Sequence, residues 1–167
     1  VSLSDPNGRV MAVYELSQGG RLGFTRDGDR VAVPLSYKTN DGRLLAFLSE
    51  PIASVKLATS DDVSKGGRIR IRFSVLSTSG KPVPAVLPVE VRVRDARGRE
   101  LDGVGYAVAV DGVCELSAKT NLDDADGDYT VFCRDRASGF SACEKVVRGK
   151  RLSWWRRMIR KLRGKSI

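Results

Sequence analysis

Histidine is entirely missing from the 167 residues, and aromatic residues make up only 7% of them. The first absence removes the commonest general base, the serine-protease type of triad and zinc sites built on imidazole. Chemistry would have to run on carboxylates, lysines or cysteines. The three cysteines, Cys114, Cys133 and Cys143, are odd in number and form no CxxC pair. A closed disulfide framework and a four-sulfur metal site are therefore excluded. Cys133 and Cys143 flank a predicted hairpin, and a bond between them requires that both side chains face one way. The reading preferred for all three is that of small, buried or half-buried hydrophobes. No apolar run approaches the roughly 18 residues needed to span a bilayer, and Val1 opens the chain without a signal-peptide pattern. The chain thus reads as soluble or peripheral. The missing initiator methionine is what a processed chain, or a piece of a longer protein, would show.

What is present is charge, unevenly placed. Residues 149–167 hold eight of the twenty-nine basic residues and no carboxylate, so the net charge of +9 falls to +1 without them. A nucleic-acid reading needs a basic face on the folded body, and the body as a whole is near neutral. The question of partners shifts to the tail, and specific nucleic-acid binding is not expected.

Before Ser153 no stretch sustains a 3.6-residue apolar period, whereas short alternating segments with turn residues between them recur. The fold class predicted is all-β. Val10, Ala12, Tyr14 and Leu16 alternate with Arg9, Met11, Val13 and Glu15, and Gln18-Gly19-Gly20 turns the chain. Val31, Val33 and Leu35 form a strand, Leu44–Leu48 is an apolar run suited to a buried one, and Pro51 marks a junction. Further on, Ile69, Ile71, Phe73 and Val75 face one way and Arg68, Arg70, Arg72 and Ser74 the other, as in a half-buried strand. Val89, Val91 and Val93 repeat the pattern, Asp111-Gly112 is a two-residue hairpin signal, and Tyr129, Val131 and Cys133 supply another inward set. About seven strands in about 95 residues match an immunoglobulin-like antiparallel β-sandwich, without the Cys–Trp–Cys core of antibody domains. The organisation predicted is residues 1–50 as a β-strand segment ending a truncated sandwich, 51–148 as the immunoglobulin-like sandwich, and 149–167 as a basic amphipathic tail. The first fifty residues would leave a sheet face and an edge open unless they pack on the second domain or on a missing one.

Val13-Tyr14-Glu15-Leu16, Gly20-Arg21-Leu22-Gly23, Val31-Ala32-Val33-Pro34-Leu35 and Leu44-Leu45-Ala46-Phe47-Leu48 resemble the closing strands of the sandwich behind the catalytic barrel in large bacterial glycoside hydrolases of the β-galactosidase type. The next stretch is similar to the immunoglobulin-like or macroglobulin-like module appended to such proteins. That likeness is carried by Gly66-Gly67-Arg68-Ile69, Pro88–Val93, Asp95 with Gly98, Asp128-Tyr129-Thr130-Val131, Asp135 and Ser138-Gly139. The resemblance implies a non-catalytic accessory region, an extracytoplasmic or cell-surface location, and a neighbouring domain as partner. No catalytic residue is carried over, because the barrel glutamates of those enzymes belong to a region outside this chain.

Candidate chemistry in the body is sparse. Asp124, Asp126 and Asp128 have the alternate spacing of calcium-loop ligands, yet the glycine falls at Gly127 and Asp135 stands where a bidentate glutamate is usual. The alternative is a solvated turn. Asp61-Asp62 and Glu100 with Asp102 are carboxylate pairs of the sort every soluble domain has, and Ser138 and Ser141 lack a nucleophile elbow. No catalytic set and no cofactor are expected. Arg68, Arg70 and Arg72 would form a cationic stripe with Arg92 and Arg94 on a neighbouring strand, a surface for an acidic glycan or a phosphate backbone, or simply the wet face of a sheet.

The tail is more specific. Trp154, Trp155, Met158, Ile159 and Leu162 recur at helical spacing, with Arg156, Arg157, Arg160, Lys161 and Arg163 between them. Ser153 is a candidate N-cap and Gly164 a candidate stop, which predicts an amphipathic cationic helix too short to be stable alone. Three partners would order it: an anionic membrane surface, a groove on protein, or nucleic acid bound without specificity. A carbohydrate-binding or adhesion module is the competing reading of the body, with polysaccharide as its partner.

Overall fold

The computed structural model describes residues 1–36, 42–60 and 62–149, and every regular element among them is a β-strand. The helix expected in the tail lies outside the described residues. The alternating segments become two facing sheets. One has three antiparallel strands, β7 (Ile52–Thr59), β9 (Arg68–Ser77) and β12 (Val113–Lys119), in the order β12-β9-β7. The other comprises β8 (Asp62–Val63), β10 (Leu87–Arg94), β11 (Tyr106–Ala109), β13 (Gly127–Asp135) and β14 (Ser141–Arg148), in the order β11-β10-β13-β14-β8. Only the β14–β8 pairing is parallel.

The inward rows are those the alternation selects. Ile69, Ile71, Phe73 and Val75 of β9 meet Val89, Val91 and Val93 of β10 and Tyr129, Val131 and Cys133 of β13 in one buried cluster. Each such side chain contributes about 1.5–3 kcal/mol by leaving water. The sheet order and crossovers are those of an immunoglobulin-like sandwich. A further mark of that architecture is the Tyr129 hydroxyl, which donates to the carbonyl of Ala125 at 2.9 Å across the corner leading into β13.

The turn at Asp111-Gly112 forms as its residues require, with φ of 49° and 71° at the two positions, the left-handed pair of a two-residue hairpin. Its strands, however, separate. β11 pairs with β10 and β12 with β9, and only Val110 and Val113 bridge. A Cβ on Gly112 would lie 2.6 Å from the Val83 nitrogen and 3.0 Å from the Val75 oxygen. The turn is thus wedged between backbone segments and carries the chain from one sheet to the other.

The first fifty residues build two small sheets. β1 (Ser2–Ser4), β4 (Thr25–Asp27) and β5 (Arg30–Ala32) run in the order β1-β5-β4; β2 (Ala12–Glu15), β3 (Arg21–Leu22) and β6 (Leu45–Leu48) run in the order β3-β2-β6. Alternation predicts one wet face for β2, but all four of its residues are buried. Ala12 and Tyr14 join the sandwich core, while Val13 joins a second cluster with Val10, Val31 and Val33. The strand lies between two apolar bodies, and so its "polar" face is dry as well.

Candidate functional site

Buried carboxylates are the natural place to look for chemistry, and in this fold their lone pairs are already committed. Glu15 accepts the N–H groups of Ser17 (2.8 Å) and Gln18 (2.6 Å) in its own turn. Burial works against its charge, but those hydrogen bonds hold its carboxyl below the usual range. Asp95 is treated alike: burial opposes its charge, and the Arg99 and Arg97 N–H groups with the Arg99 guanidinium lower it on balance. Asp5 is lowered first by the Val10 N–H and then by Arg26, which lies 2.8 Å away. Asp135 takes the amides of Ala137 and Ser138 and the Ser138 hydroxyl, so that serine is a turn residue. Glu90 is paired with Arg92 and, at 3.6 Å, with Arg136. Glu100 sits exposed on Arg94 at 3.2 Å.

The acidic stretch near Asp124 serves as a clasp for an arginine. The Arg148 side chain is 0% exposed, and its guanidinium donates to the carbonyls of Asn121, Leu122 (3.2 Å) and Asp124 and to Asp126 Oδ1 (2.9 Å). Lys65 reaches the other Asp126 oxygen at 3.3 Å. The Asp124 carboxylate turns back to accept the Asn121 N–H at 2.6 Å, and Asp128 is exposed at the start of β13. Among the described residues no three acidic, cysteine or histidine side chains gather around a common point. Gly149 follows directly. It has a φ of 99°, and a Cβ there would fall 2.2 Å from Asp126. Only glycine fits at this position. The tail's candidate residues, Trp154 to Arg163, lie outside the described residues, as does Asp61.

The cysteines divide. Cys114 and Cys133 are buried and Cys143 is exposed, all three free. In the β13–β14 ladder Cys133 stands opposite Ala142 and Cys143 opposite Phe132, so the two side chains point to opposite faces and cannot bond. Burial pushes the Cys133 thiol up to about 12.

The predicted five-arginine stripe does not exist. β9 pairs with β7 and β12, and β10 with β11 and β13, so Arg68, Arg70 and Arg72 lie on one outer face and Arg92 and Arg94 on the opposite one. Strand alternation puts side chains outward but does not say which strands are neighbours. The register adds residues that local reading missed. Lys119 stands opposite Arg68, Ser117 opposite Arg70, Glu115 and Ala58 flank Arg72, and Lys56 stands opposite Ser74. Arg72 meets Glu115 at 2.7 Å and Arg68 donates to the Ser117 hydroxyl at 3.2 Å. Beside Arg70 the small side chains leave a groove of about 520 Å³.

No protein-family model and no curated protein sequence matches the chain. Among solved structures it is similar to the Lin-41 filamin domain, with 16% identity and a TM-score of 0.43 over 59% of this chain and 96% of that one. It is also similar to the sulfur carrier protein SoxY from Chlorobium limicola f thiosulfatophilum, with 10% identity and a TM-score of 0.36 over 60% of this chain and 86% of that one. A third likeness, at 12% identity and a TM-score of 0.35, is to a β-glucosidase from Listeria innocua; it covers 59% of this chain but spans 16% of the glucosidase.

Proposed function

We propose that this chain is a non-catalytic, accessory β-sandwich module of a larger, carbohydrate-active protein. The observation that carries the reading is the fate of the buried carboxylates. Glu15, Asp95 and Asp135 close their own turns, and Asp5 and Glu90 hold arginines. Acid–base work on a glycosidic bond needs two carboxyls facing each other across a substrate, free to exchange protons. These five are spent on holding the fold. The link to a hydrolase rests on the sequence resemblance along residues 10–148, since a fold of this kind supports many functions.

An antibody raised against the chain is expected to detect, in its source cells, a polypeptide much larger than 18.2 kDa. A band at that mass, or turnover of aryl glycosides by the purified chain, would count decisively against the proposal. Attachment to an anionic membrane through Trp154, Trp155 and the flanking arginines is a second element of the reading. It draws support from the helical spacing of the tail's apolar residues and from its eight basic residues with no carboxylate.

A further inference from the structure

Charge on the sandwich is unevenly placed, and Glu90, Asp135 and Arg148 of the second sheet are buried. The strands β7, β9 and β12 carry five basic residues and one acidic residue, whereas β8, β10, β11, β13 and β14 carry five of each. The near-neutral body thus has one face with an excess of four positive charges. Three of those cations, Arg70, Lys56 and Lys119, have no carboxylate within ion-pair distance among the described residues, and Arg68 touches only the Ser117 hydroxyl. On the opposite sheet Arg92 and Arg94 are matched by Glu90 and Glu100, and Arg134 and Lys145 are the cations without a carboxylate partner among the described residues.

We propose that the outer face of the β7–β9–β12 sheet binds an acidic polysaccharide, laid along the arginine row of β9. Alternate residues of a strand are about 7 Å apart, so Arg68, Arg70 and Arg72 present donors at the regular interval that suits a chain with repeating carboxylate or sulfate groups. The groove beside Arg70, with Ser117 on its wall, adds a hydroxyl for sugar oxygens. What the face lacks narrows the ligand further. None of the exposed large hydrophobics lies on these strands; Tyr106, Val108 and Val110 belong to the other sheet's edge. With no aromatic side chain outward, the face has no platform for stacking bases or neutral sugar rings. With no large exposed apolar side chain to insert, it lacks the apolar contact of a bilayer interface. Recognition here is by charge and hydroxyl alone. The inference concerns this face and stands whether or not a catalytic domain adjoins it.

The test uses the full chain, so that the basic tail is constant. Arg68→Gln with Arg70→Gln and Lys119→Gln is compared with a triple of equal charge elsewhere, Arg94→Gln with Arg97→Gln and Lys145→Gln, by titration of a fluorescent sulfated dodecasaccharide. The first triple is expected to weaken binding about tenfold or more and to lower the salt slope by about 2. The second should change affinity less than about threefold, since it removes only long-range charge. Glu115→Gln, which releases Arg72, should tighten binding, an effect no unfolded variant produces. Equal losses in the two triples would assign binding to the tail and overturn the proposal. So would a tighter, equally face-dependent complex with a 20-base-pair duplex or with phosphatidylserine vesicles.

Discussion

The Tyr14 hydroxyl accepts the backbone N–H of Ile52 at 2.9 Å in a buried setting. Tyr14 stands on the central strand of an N-terminal sheet, and Ile52 is the first residue of the sandwich proper. The bond therefore spans the point where Pro51 interrupts the sequence. The ring of Tyr14 joins the main core beside it, and nearby the Gly20 N–H donates to the Ala137 carbonyl at 2.8 Å. Tyr14→Phe keeps the ring and strands the Ile52 amide. It should cost about 1–3 kcal/mol in urea unfolding, the usual penalty for an orphaned buried donor. An unchanged midpoint would mean that water replaces the hydroxyl and that the bond does not hold the junction.

Arg148 has four acceptors around the two terminal nitrogens of its guanidinium and 0% of its side chain exposed, with its Nε left without a partner. Arg148→Ala should destabilise by about 1–3 kcal/mol, because part-buried carbonyls lose their donor, whereas the Asp126 carboxylate, 40% exposed, keeps Lys65 and solvent. Arg148→Lys should recover only part of this, since an ammonium cannot match a planar fork with spread-out donors. Full rescue by lysine would show that charge alone, and not the geometry of the clasp, holds the loop over 121–126.

Much of this fold is legible in the alternation itself. The inward rows of β9, β10 and β13 and the turn at Asp111-Gly112 follow from residue type and period, because each of these strands has one wet face. Three features are not local and stayed hidden. Val13 and Glu15 look outward by period, but Val13 packs into a second apolar cluster and Glu15 folds into its own turn. The arginine row was readable, yet its neighbours Lys119 and Ser117 come from a strand more than forty residues away, through a register no local pattern encodes. Arg148, a basic residue at a strand end, reads as surface until the carbonyls of Asn121, Leu122 and Asp124 are seen to converge on it.

The lowered carboxyls set the acid limb of stability. Asp5, Glu15 and Asp95 release their protons more readily folded than unfolded, where carboxyls titrate near about 4. Their contribution is thus complete above that value and is lost as pH falls through the lower folded values. The difference in urea midpoint between the native chain and Asp95→Asn should be largest at pH 7 and shrink below about pH 4. A difference that persists undiminished at pH 3 would show that the Asp95 turn is held by shape, with its charge irrelevant.

If the tail inserts into a membrane interface, its tryptophans supply the apolar contact and its arginines the attraction to anionic headgroups, about 1 kcal/mol for each cation near the surface. Trp154→Ala with Trp155→Ala should then reduce co-sedimentation with anionic liposomes more than physiological salt does. Unchanged binding in the double variant would reduce the tail to a purely electrostatic tether, and a comparable loss from salt alone would point the same way.

The cysteines offer a check on the ladder that sets both outer faces. Cys143 stands opposite Phe132 on the wet side of β14, while Cys133, one residue along its own strand, faces the core with its thiol raised by burial. Thiolate, not thiol, attacks disulfide reagents, so exposure and ionisation act in the same direction here. In the native chain at pH 8, Ellman's reagent should titrate one cysteine rapidly, and Cys143→Ser should abolish that phase. Cys114 and Cys133 should react only on unfolding, at a rate that follows the denaturant dependence of the global transition. Fast labelling of two thiols in the folded chain would mean that the inward row of β12 or β13 opens to solvent and that Cys114 or Cys133 does not stay in the core.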